Sequence, residues 1–121
     1  HALIEDTRVQ IQLGEVYARL EAMNVMNWRM ASDIEAEKLD PALASAVKVY
    51  STESLIEVYR IFQEILGVSG ALRKGSAGAV LQGALSQEAR ACQINTFGGG
   101  VNEVQREIVA MAGLRMPRAP R

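Results

Sequence analysis

Thr96-Phe97-Gly98-Gly99-Gly100-Val101-Asn102-Glu103-Val104-Gln105-Arg106-Glu107-Ile108-Val109-Ala110 joins a glycine-rich turn directly to an amphipathic helix. Glycines lack a Cβ, so such a turn can take positive φ and let a ligand approach the backbone. The helix start behind it offers unpaired N–H groups and a partial positive charge, a geometry that can bind an anion. Asn102 is placed to be the N-cap, Gln105 to complete a capping box and Gly113 to stop the helix. On physics alone, a glycine turn before a helix is more often only a turn.

Working outward, the periodicity is helical almost throughout. Glu5, Arg8, Gln12, Glu15 and Arg19 recur at helical spacing as one solvated stripe, with Glu15 and Arg19 paired one turn apart. Val9, Leu13, Val16, Leu20 and Met23 form an apolar stripe. Ile4, Ile11, Ala18 and Val25 form a second, so this long helix, ending near Lys38, should pack against more than one neighbour. Asp40-Pro41 supplies an N-cap followed by proline at the first helical position, which starts a second helix that Gly67 closes. Its buried side should carry Val47, Leu55, Val58, Phe62 and Leu66, with Lys48, Glu53, Glu57, Arg60 and Glu64 facing out.

Residues 67–78 carry breakers and read as irregular. A short third helix is expected to hold Ala77, Val80, Leu81, Ala84, Leu85 and Ala91, which would charge Gly78 and Gly83 a helix penalty of about 1 kcal/mol each. The last helix should bury Val104, Ile108 and Met111 before an arginine-bearing tail. No strand pattern, internal repeat or domain linker is visible. The expected class is all-α: an antiparallel helical bundle, short of a complete four-helix set.

The wording of the glycine stretch, with Gly113-Leu114-Arg115-Met116-Pro117-Arg118 after it, resembles the C-terminal signature of the acyl-CoA dehydrogenases, most closely the actinobacterial members. These are flavoenzymes that oxidise acyl-CoA thioesters to enoyl-CoA. Gln63-Glu64-Ile65-Leu66-Gly67-Val68-Ser69-Gly70 resembles that family's Gln-x-x-Gly-Gly-x-Gly loop. His1-Ala2-Leu3-Ile4 resembles the start of the second long helix of its C-terminal domain, and residues 40–66 resemble the third. The resemblance implies that residues 1–121 are a C-terminal helical domain, a fragment without the first bundle helix, the N-terminal helical domain and the β-domain.

For the site, the resemblance implies FAD contacts at Gly98, Gly99 and Gly100, with Val101 and Glu103 at the helix start. Glu64 or Gln63, with Gly67, would reach the FAD of an adjacent subunit, and His1 and Ala2 fall at a further FAD-contacting stretch. Without the resemblance, Gln63 and Glu64 read as a solvated helix C-terminus. Val68 replaces the second glycine of one loop and Val101 the usual threonine of the other. The family reaction needs a carboxylate base to remove the α-proton while a hydride leaves the β-carbon for the flavin. One branch carries this Glu where Gly99 stands here, and the other carries it on a helix preceding the position of His1. No residue of this chain can be assigned as the base, so the chain alone is expected to be inactive and not to retain FAD by itself.

The resemblance also implies an acyl-CoA substrate for the parent and self-association, or pairing with a related dehydrogenase subunit, as a dimer or tetramer. A non-catalytic partner subunit completing another subunit's flavin site is the alternative. Composition excludes other classes. The net charge of −1 over 121 residues gives no basic nucleic-acid surface. A single His and a single Cys cannot build an ordinary zinc site or a credible Ser-His-Asp set. Cys92 cannot form an internal disulfide, and no apolar run approaches the ~20 residues of a membrane span. A cytoplasmic, non-membrane protein is expected. Trp28 with Met23, Met26 and Met30 reads as core or interface packing before it reads as an acyl pocket.

Overall fold

The computed structural model describes residues 2–118, and these are helices and turns without a strand. A 3-10 turn, Leu3–Glu5, leads into helix α1, Thr7–Glu35. Asp6 caps α1, its carboxylate accepting from the Arg8 amide at 2.8 Å. Helix α2, Pro41–Leu66, begins as its sequence dictates, with Pro41 in the first turn and the Asp40 carboxylate accepting from the Ala42 amide at 2.9 Å. It ends at Gly67, whose φ of 59° is open to glycine. A single turn α3, Val68–Ala71, follows, then a loop, helix α4 over Ala84–Ala91, a 3-10 segment Cys92–Thr96, and helix α5 over Asn102–Ile108. The chain then widens into a π-helical turn, Val109–Gly113.

Helices α1 and α2 run antiparallel. Gln12 donates to Glu64 at 3.3 Å, while the Tyr50 hydroxyl, earlier on α2, reaches the carbonyl of Arg19, later on α1. Between them Val16, Val58 and Ile61 form the buried core, with Phe62 and Ile65 packed against it. Ile61 is 1% exposed, and burying such a side chain contributes about 1.5–3 kcal/mol. Helices α3, α4 and α5, the Cys92–Thr96 segment and the Val109–Gly113 turn all lean on α2, so α2 is the hub of the fold. The antiparallel bundle inferred from periodicity is the one observed.

Particular positions differ from expectation. The apolar stripe of α1 is buried at Val9 and Val16, but Leu20 is partly open, and the second stripe faces outward, with Ile4, Ile11 and Val25 all more than half exposed. Trp28 is 77% exposed rather than in a core. Val104 is 47% exposed, not buried as its spacing indicates. The region after Gly67 is not wholly irregular, because residues 68–71 close one helical turn. Conversely the third helix starts late. Residues 80–83 form a left-handed turn in which Leu81, Gln82 and Gly83 have φ of 50°, 55° and 82°. Among the described residues no helix is long and apolar enough to cross a membrane.

Gly78 and Gly83 therefore bear no helix penalty, since both sit outside helices at positive φ. At Gly83 a Cβ would lie 2.3 Å from the Lys74 amide nitrogen, a backbone atom that cannot yield without moving the loop. Were Gly83 helical, Gly83→Ala would stabilise by about 1 kcal/mol. Instead the variant should destabilise by at least about 2 kcal/mol, read as a lower denaturant midpoint. A midpoint at or above wild type would contradict this structure of the turn.

Candidate functional site

The glycine turn sits on α2 and is held from beneath by one side chain. The Lys48 ammonium donates to the carbonyls of Thr96 and Gly100, at 2.9 and 2.8 Å, and to Asn102 Oδ1 at 2.6 Å. The sequence pattern assigns Lys48 to the solvated face, yet it is only partly exposed. Its aliphatic stem reaches along the helix while its charge meets acceptors from a segment about fifty residues later, a long-range pairing of the kind amphipathic side chains permit.

Asn102 is not the N-cap. Val101 holds that position with an extended backbone, and no side chain caps the helix. Asn102, 3% exposed, is instead the buried first residue of α5. Its Nδ2 donates to Thr52 Oγ1 and Glu53 Oε1, both at 3.0 Å, while its Oδ1 accepts from Lys48. A buried amide with each end paired is the arrangement that offsets its desolvation. Gln105 does not complete a capping box either: its Nε2 donates to the Gly99 carbonyl at 3.0 Å. Arg106 completes the cluster, pairing with Glu53 Oε2 at 2.6 Å. That hydrogen bond lowers the Glu53 carboxyl below its ordinary value against the opposing effect of burial, with Asn102 and the nearby Lys48 charge adding to the lowering.

The turn itself has positive φ at Gly99 and Gly100, 69° and 99°, but not at Gly98, whose amide donates to the Ile94 carbonyl at 3.3 Å. No atom lies within 4 Å of where a Cβ on Gly99 would stand, so the backbone is open to an approaching group. At Gly100 the Gln105 amide lies 2.6 Å from that position, and the side chain itself occupies the space. The turn and Glu103 are exposed, and Val101 is partly so.

The other predicted positions lie elsewhere. Glu64 is exposed and paired with Arg60 and Gln12, while Gln63 Nε2 faces the Gly70 carbonyl at 3.5 Å. Gly67 is open, with no atom within 4 Å of where its Cβ would stand. Ala2 precedes α1 at the same end of the bundle, and His1 lies outside the described residues. Along α2, Lys48 and Gly67 are about 28 Å apart at the helical rise. The structure thus holds two separate glycine patches and does not merge them. A groove of about 470 Å³ opens beside the first, lined by Met26, Val49, Tyr50, Val109 and Leu114, with Glu53 and Arg106 at its wall. Sequence reasoning misses Lys48 and Thr52 because the partners that define them are remote; the one local sign is a lysine one turn before a hydroxyl on a face otherwise carrying acids.

The family model for the C-terminal domain of acyl-CoA dehydrogenases matches residues 1–114. The chain belongs to the acyl-CoA dehydrogenase family. It is 46% identical across 98% of its length to acyl-CoA dehydrogenase FadE26 of Mycobacterium tuberculosis and 38% identical to FadE29 of the same organism, covering 30% of each. Among solved structures it is similar to a Tcur3481-Tcur3483 steroid ACAD, with a TM-score of 0.93 at 46% identity, covering 98% of this chain and 31% of that one. It is also similar to the ChsE4-ChsE5 complex from Mycobacterium tuberculosis, with a TM-score of 0.89 at 46% identity, covering 98% of this chain and 30% of that one. The chain thus spans under a third of the length of these relatives.

The Glu53 pairing of this dehydrogenase domain has a testable pH signature. Because the folded carboxyl titrates below its ordinary value near 4.5, its contribution is present above that value and is lost as the pH falls through the folded one. Denaturant midpoints of wild type and Glu53→Gln should differ at neutral pH and draw together as the pH is lowered below 4.5. A gap that stays constant with pH would show that the Glu53 charge is not what holds Arg106 and Asn102.

Proposed function

We propose that the chain is the C-terminal helical domain, residues 1–121, of an FAD-dependent acyl-CoA dehydrogenase that introduces an α,β double bond into an acyl-CoA thioester. The observation that carries this reading is the positive-φ turn at Gly99 and Gly100, open at Gly99, built on the family signature and backed by a buried tether. Open backbone of this kind fits a flavin cofactor, which needs close approach and N–H donors rather than bulky side chains. FAD, when bound, would accept the hydride that leaves the β-carbon of the thioester.

In this reading Gly98, Gly99, Gly100, Val101 and Glu103 contact the flavin, the Gly67 patch with Glu64 attends to the cofactor of an adjacent subunit, and Ala2 and His1 belong to a further FAD-contacting stretch. The wide separation of the two patches supports their serving different cofactor molecules. Gly99 offers no carboxylate, so the base that takes the α-proton comes from elsewhere in the parent, and the isolated chain is inactive. The outward stripe of Ile4, Ile11, Val25 and Trp28 belongs to the buried core of the parent or of its dimer or tetramer, in the cytoplasm.

A second reading is a non-catalytic subunit that completes the flavin site of a related dehydrogenase. The absent carboxylate at Gly99 favours it, and so does the likeness to solved structures whose names join two different components. The two readings separate in one experiment on the full-length parent, purified alone and with dehydrogenase subunits encoded beside it. Bleaching of a bound flavin by an acyl-CoA panel, aliphatic and steroid, is expected to occur in a single turnover. Bleaching by the parent alone favours the catalytic reading. Bleaching only in the mixed complex favours the partner reading, and a parent without flavin in either preparation would refute both.

A further inference from the structure

We infer that Lys48 is the positioning residue of the glycine turn, fixing the direction in which its backbone amides point; the inference rests on reading that turn as a flavin contact. The Lys48 ammonium has three N–H donors and three acceptors around it: two turn carbonyls and the Asn102 side chain. No cis peptide occurs among the described residues, so each amide N–H points away from the carbonyl of the residue before it. Drawing the Gly100 carbonyl inward to Lys48 therefore turns the Val101 N–H outward. Gln105 holds the Gly99 carbonyl from the exposed side and so fixes the Gly100 N–H, which faces away from Gln105.

Two successive peptide planes are thus set by side chains, in a place where glycine itself imposes little restriction on rotation. The inward Gly100 carbonyl has its charge met by a cation, while the Val101 N–H on the opposite side of that peptide is a donor suited to an acceptor oxygen of the cofactor. An arginine would not substitute, because its planar fork does not meet three acceptors converging on one point. Neither Lys48 nor Gln105 has to touch the ligand to do this.

Lys48→Met retains the apolar stem and deletes the ammonium. In the full-length parent, FAD affinity by fluorescence titration should fall about tenfold, as loss of charged hydrogen bonds implies. In the FAD-free protein, amide exchange should accelerate in the peptide covering residues 97–105 while α1 and the Gly67 end of α2 exchange as in wild type. Lys48→Arg should not restore the affinity. Lys48→Gln, which keeps part of the stem and one neutral donor group, should weaken FAD by about threefold and decides the matter if Lys48→Met does not fold. Affinity within about twofold of wild type, or faster exchange spread through all the helices, overturns the positioning role. A wild-type parent that binds no FAD overturns instead the flavin reading, whereas the exchange measurement still reports whether Lys48 holds the turn.

Discussion

The contact on which the site depends is the meeting of the Lys48 ammonium with Asn102 Oδ1 and the carbonyls of Thr96 and Gly100. It is a long-range contact made of short-range parts. Each partner would be costly to bury alone, since an amide, a cation and two loop carbonyls all require compensation when water is removed. Together they satisfy one another, and Thr52 and Glu53 take up what remains of the Asn102 side chain. The glycine turn and the start of α5 are thereby registered against α2 by polar bonds, whereas α1 is packed against it through the apolar core at Val16, Val58 and Ile61.

The division explains which features are legible in the sequence. Helix α2 can be bounded at both ends because Asp40, Pro41 and Gly67 act within a few residues of themselves. The buried stripe of α1 can be read for the same reason, as period and polarity are local. Asn102 misleads because asparagine at a helix start has two uses, as a cap and as a buried tether, and only the position of Thr52 and Glu53 chooses between them. Gly83 misleads because a glycine inside an alanine-rich run looks like a weakened helix until the Lys74 backbone is seen pressed against it. The glycine turn is legible through its wording, and the positive φ at Gly99 and Gly100 agrees with it.

The charges form two systems with different physics. Arg60 with Glu57 and Glu64 is a solvent-facing ladder along one face of α2, where pairs contribute little individually and are screened by salt. In the other, the exposed Glu53–Arg106 pair is joined to the buried Asn102 and the half-buried Lys48, so that each member orients another. Only the second touches the turn. Substitutions on the two sets are therefore not equivalent despite lying on one helix.

The outward apolar stripe of α1 and the turn before it carries a consequence for abundance. A folded form that leaves Ile4, Ile11, Val25 and Trp28 in water gains free energy from whatever covers them, in proportion to the logarithm of that partner's concentration. Its apparent stability is then a property of the mixture, not of the polypeptide. Changes at these positions would spare the Val16 and Ile61 core yet shift the balance towards unassembled chains, the species that cellular proteases remove first.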